Sequence, residues 1–200
     1  ARALDGVWLS SPGDLAVDYI FTEGLADIKT AGAVTDARGD DFPNIRAYGI
    51  NIEAAEAGSE EQALGVALEQ GGDGINALNV KTSGSAYIEG AGEEPLYIAV
   101  FTSGGDIKIA SKSDILNASA QSLIKAGGDM TFACENCNIG EESSYLNLDA
   151  SGLINAFGDD IHINSKGSAS VLGKVVAEKD VNVLASVSDL VLNDVVSAEN

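Results

Sequence analysis

The chain has 200 residues, of which 31 are acidic and only 11 basic, giving a formal charge of −20. A polyanion of that size repels phosphate backbones, which argues against nucleic acid as a partner. Its 45% hydrophobic content suffices for a continuous core and argues against disorder, while one His, one Met and one Trp leave few side chains for most reaction classes.

The first residues, Ala1-Arg2-Ala3-Leu4, form neither a basic nor an apolar leader region. The last, Ala198-Glu199-Asn200, follow an apolar stretch around Val195 and Val196. The expectation is one solenoid segment over residues 1–200, part of a longer chain or filament. Val7, Trp8 and Leu9 are candidates to cover one end. No membrane insertion is expected, because the longest apolar run, Leu96 to Phe101, is far too short for a spanning helix.

Along the chain a phrase Asp-Φ-x-Φ (Φ apolar) recurs, often behind Gly. It starts at Asp14, Asp106, Asp129, Asp160, Asp180 and Asp189. Between these copies the apolar residues alternate: Ile50/Ile52, Leu78/Val80, Leu96/Ile98/Val100, Ile107/Ile109, Leu146/Leu148. Period two puts one set of side chains on one face, the mark of a strand. Gly, Ser, Asn and Asp fill the intervals and turn the chain.

Residues 59–70 offer the best helical rival, since Ser59 and Gln62 have the spacing of a capping box. Leu64, Val66 and Leu68 nevertheless alternate. The segment also echoes residues 92–103, with Glu60-Glu61 matched by Glu93-Glu94 at an offset of 33. A strand stacked near 92–103 is expected.

Short strands with a recurring phrase fit a coil better than a sandwich, whose strands need not resemble one another. The fold class expected is all-β, a right-handed parallel β-helix (solenoid) of roughly 20–33-residue repeats. Strands about 4.8 Å apart would make a rod on the order of 40 Å long. Ile107, Ile109, Met130, Phe132, Ile161, Ile163, Val181 and Val183 should share its core.

Gly104-Gly105-Asp106-Ile107-Lys108-Ile109-Ala110-Ser111 resembles the repeats of filamentous-haemagglutinin-like large bacterial exoproteins and adhesins. Ala126 to Phe132 and Gly158 to Ile163 are similar to them too. The likeness is clearest over residues 71–200. It implies a right-handed parallel β-helix, an extracellular or cell-surface location, and work as an adhesin, toxin stalk or surface filament. The family's amino-terminal secretion domain has no counterpart in these residues.

Candidate sites are few. Cys134-Glu135-Asn136-Cys137 is a lone CxxC that fits a local disulfide between Cys134 and Cys137, unpaired buried thiols, or a metal or redox site. A second ligand pair for zinc is missing. Arg38-Gly39-Asp40 is an integrin-type tripeptide, and Asn117-Ala118-Ser119 fits the glycosylation sequon. His162 should point outward between Ile161 and Ile163. The acidic pairs at 40–41, 60–61, 93–94, 141–142 and 159–160 suit either Ca²⁺ or plain solvation. No catalytic, cofactor or metal residues emerge, since Lys81, Lys108, Lys112, Lys125, Lys166, Lys174 and Lys179 are scattered along the sequence.

The sequence thus reads as a non-catalytic extracellular structural or adhesive rod. Its partners would be end-to-end copies or a continuation of the same chain, or a host or cell-surface receptor or glycan. The alternative is a carbohydrate-active β-helix enzyme of the polysaccharide lyase or hydrolase type. A groove lined by several carboxylates and a cation would favour that alternative.

Overall fold

The computed structural model describes residues 1–71, 76–167, 170–186, 190–192 and 197–198. Gly72-Asp73-Gly74, Val187-Ser188-Asp189 and Val195-Val196 lie outside them. The chain is an all-β parallel β-solenoid of about eight turns, with about 21 residues per turn and no helix among the described residues.

Two parallel sheets form its walls. Sheet 1 stacks Gly6–Ser11, Leu25–Thr30, Gly49–Ala54, Leu78–Thr82, Leu96–Ser103, Leu123–Ala126, Leu146–Ala150, Ile161–Ser165 and Val181–Ala185 in that order. Sheet 2 stacks Arg2–Ala3, Ile20–Thr22, Ile45–Ala47, Leu64–Leu68, Ala86–Gly90, Ile107–Ser111, Met130–Cys134, Leu153–Gly158, Ser170–Ala177 and Leu190–Leu192. Successive strands in a sheet therefore come from successive turns. All paired strands run parallel, as coiling in one direction requires.

Alternation buries every second side chain against the opposite wall. Ile107, Ile109, Met130, Phe132, Ile161 and Ile163 are buried, and Val181 and Val183 pack against the same cluster. The eight share one core as expected, but from opposite sides. The phrases at Asp106 and Asp129 open sheet 2 strands, whereas those at Asp160 and Asp180 open sheet 1 strands. Phe132 stacks between Ile109 and Ala156 of adjacent turns, and Phe101 and Phe132 are the largest fully buried side chains. Each such side chain contributes roughly 1.5–3 kcal/mol by leaving water.

The Asp of the phrase works at the corners. Asp106 Oδ1 accepts the Asp129 N–H at 2.8 Å, and Asp129 Oδ1 accepts the Leu153 N–H at 2.7 Å. A second ladder runs Asp114, Asn138, Asp160, Asp180, where each side-chain oxygen accepts the next N–H at 2.8, 3.2 and 3.1 Å. Each donor would otherwise lack a partner where the strand ladder has not yet begun. The preceding glycine makes room for this: a Cβ on Gly128 would stand 2.0 Å from Asp106 Oδ1.

Residues 59–70 do contain a strand, Leu64–Leu68. It lies in sheet 2 beside Ile45–Ala47 and Ala86–Gly90, while Leu96–Ser103 lies in sheet 1. The 33-residue echo therefore spans more than one turn and does not mark stacked equivalents. Ser59 and Gln62 bond to each other, with both backbone N–H···O contacts made, at 2.8 and 3.2 Å. Their cap-like spacing closes a tight turn ahead of the strand.

Strict alternation fails where Leu153–Gly158 meets Ser170–Ala177, with a register shift between Ile154 and Ala156, and again in Leu96–Ser103. Leu78 pairs with Ile98 but Asn79 pairs with Val100, so Ala99 is an extra residue, a β-bulge. Beyond it the faces exchange. Val100, expected inside with Leu96 and Ile98, is 52% exposed, and Phe101 is buried.

Candidate functional site

The outward side chains of sheet 1 fall into columns, because parallel pairing places equivalent positions one above another. One column reads Trp8, Asp27, Asn51, Asn79, Val100. It continues through the pairs Asn147–Asn164 and Asn164–Leu184. The adjacent column reads Ser10, Lys29, Glu53, Lys81, Thr102, Lys125. The stretch from Asp27 to Val100 of the first column and from Lys29 to Lys81 of the second floors an open hollow of about 490 Å³.

Within it Lys29 pairs with Asp27 at 3.5 Å and Lys81 with Glu53 at 3.4 Å. Asn79 Nδ2 donates to Asn51 Oδ1 at 3.0 Å, and Asn164 Nδ2 to Asn147 Oδ1 at 3.1 Å. Trp8 is 64% exposed on the outer face, so it does not cover an end; Val7 is buried and Leu9 packs against the core. Its ring lies against Gly6, where a Cβ would stand 2.6 Å from Trp8 Cη2.

Lysines scattered in sequence thus meet acids of neighbouring turns. Lys125 pairs with Asp149 at 2.7 Å, Lys112 with Glu89 at 3.5 Å and Lys179 with Asp159 at 3.0 Å. The Asp159 contact also raises the Lys179 pKa above its ordinary value. Such exposed pairs contribute only about 0–1 kcal/mol each, so their effect is to neutralise the faces locally.

The other singled-out residues lie apart from this strip. Cys134 and Cys137 sit at the ends of a tight turn, with Cα atoms 5.3 Å apart and their sulfurs joined. Asn136 between them takes a positive φ of 59°. In Arg38-Gly39-Asp40 the guanidinium grips its own Asp40, with Nε 3.1 Å from Oδ1 and Nη2 3.0 Å from Oδ2. That bond holds the Asp40 carboxyl below the usual range. Burial pushes the neighbouring Asp36 carboxyl up. The Arg38 and Gly39 N–H groups and the amides of Asn44 and Gln62 more than offset this, and its pKa is lowered.

The sequon amide is occupied: Asn117 Nδ2 donates to the Tyr145 carbonyl, and Asn117 Oδ1 is buried without a partner. His162 takes the outward position, yet it is only 8% exposed, a departure from the solvent-facing expectation. Tyr145 stands edge-on to its ring at 5.6 Å, and Asn182 Nδ2 donates to its Nδ1 at 3.2 Å. Among the acidic pairs, Asp40 holds Arg38, Asp159 holds Lys179 and Asp160 serves the corner ladder. Among the described residues no three His, Cys, Asp or Glu side chains gather in a way that would hold a metal ion.

No protein-family model, no curated protein and no solved structure matches this chain. The fold is a parallel β-solenoid on its own geometry.

Proposed function

We propose that this chain is a non-catalytic structural and adhesive rod, a segment of an adhesin-like exoprotein or surface filament outside the cell. The observation that carries the reading is the use made of charge. Lysines and carboxylates on sheet 1 neutralise one another across turns, at Lys81–Glu53 and Lys125–Asp149, and the corner acids Asp106 and Asp129 hold main chain. These groups build and pave the rod. Among the described residues the strand Gly6–Ser11 has one ladder partner, Leu25–Thr30. Its other edge suits a further turn, either of the same polypeptide or of a second copy.

The rival reading places glycan cleavage at the hollow that holds Asp27 and Glu53. Incubation with neutral and acidic polysaccharides, read by reducing-end release and by absorbance of unsaturated uronates, separates the two. No turnover is expected. Turnover that disappears in Asp27→Asn or Glu53→Gln would establish the enzyme instead. For location, protease treatment of intact source cells should remove the protein, and its full protection would reject a surface role.

A further inference from the structure

We infer that the sheet 1 strip from Trp8 to Val100 binds a neutral, linear, β-linked glycan laid along the rod axis. This rests on the adhesive part of the reading above and names its ligand class. Three of the exposed large apolar side chains, Trp8, Val100 and Leu184, stand on one outward column. Val100 is there only because the Ala99 bulge turns it outward, and bulges re-aim side chains in this way beside binding sites. The Trp8 ring rests on Gly6, whose missing side chain leaves it space, and its other face is open to stack on the C–H face of a sugar.

Between Trp8 and Val100 the column offers Asp27, Asn51 and Asn79. The bond from Asn79 to Asn51 orients both amides, leaving the Asn51 N–H groups and the Asn79 carbonyl for a ligand. Planar amides and carboxylates suit the paired donors and acceptors of vicinal hydroxyls. Each step along the column is one turn, about 4.8 Å, close to the advance of one pyranose in an extended β-1,4-linked chain. Asp27, Lys29, Glu53 and Lys81 sum to zero charge on a molecule of −20. That balance favours an uncharged polyhydroxyl ligand over a polyanion or a polycation.

Trp8 is the sole tryptophan, so its emission reports directly on the strip. The full chain is titrated with cellohexaose, chitohexaose and β-1,4-mannohexaose, with dextran sulfate as the charged comparison. A saturable emission shift with at least one neutral hexasaccharide, and none with dextran sulfate, is expected. Asn79→Ala and Asp27→Ala should weaken it about tenfold with an unchanged circular dichroism spectrum, while Lys108→Ala on sheet 2 should not. No shift with any of the three sugars, or equal affinity in all variants, would overturn the inference. A shift that follows protein concentration without sugar would also overturn it, by giving the strip to a second copy. X-ray scattering on the same samples reads the rod separately, so a failed glycan leaves the rod reading standing.

Discussion

Asp106 Oδ1 lies 2.8 Å from the Asp129 backbone nitrogen, so a side chain of one turn fixes the main chain of the next. Asp106→Ala removes the acceptor and should cost about 1 kcal/mol. Asp106→Asn keeps a carbonyl oxygen there and should cost less. Urea unfolding of the two variants checks this; equal losses would show that the contact does not act through the acceptor.

Phe132→Ala should be far more damaging. The ring fills the space between Ile109 and Ala156, and its removal leaves a cavity worth about 3–5 kcal/mol. A drop in thermal midpoint several times larger than that of Asp106→Ala is expected by calorimetry.

Deleting Ala99 removes the bulge and returns Leu96–Ser103 to strict alternation. Val100 would then follow Ile98 directly and keep its outward place opposite Asn79, and Phe101 would stay buried opposite Val80. The fold should survive with only a small shift in circular dichroism melts; a collapse would show that the bulge itself is required. Ala99→Val, which keeps the residue count, should preserve the fold.

The lowered pKa of Asp36 has a pH consequence. Its unfolded carboxyl takes up a proton before the folded one does. The stability it contributes is therefore full above the unfolded carboxylate pKa and is lost as pH falls through the folded value. Asp36→Asn should be the less stable at neutral pH, and the gap should narrow as pH falls below the ordinary carboxylate range. Urea midpoints across that range test the sign; a gap that widens in acid would refute it.

The Cys134–Cys137 link spans a sequence separation of 3. So small a loop restricts the unfolded chain little, and reduction should lower stability by about 2 kcal/mol or less. Reduction followed by alkylation, read by mass and thermal midpoint, checks both the link and its worth.

The core was legible in the sequence and the outer strip was not. Ile107, Ile109, Met130 and Phe132 announce themselves by alternation behind an Asp, a local signal. That the Asp106 and Asp160 phrases line opposite walls is not local, since it depends on how many residues each corner takes. The strip depends on the same thing. Trp8 meets Asp27 after 19 residues and Asn51 meets Asn79 after 28, so no fixed spacing marks the column. Val100 was misleading for a related reason, as one extra residue inverts every position after it. His162 faces outward as alternation says, and only tertiary contact with Tyr145 and Asn182 removes it from water.

The corner ladders and both sheets are bonded from turn to turn, so a pull along the axis loads one turn before the next. Resistance is then set by a single coil at the end being drawn, whatever the number of coils behind it. Each release frees about 21 residues, on the order of 70 Å of slack at full extension. Under tension the molecule would pay out in instalments, lengthening several-fold while the coils not yet reached keep their outer face intact.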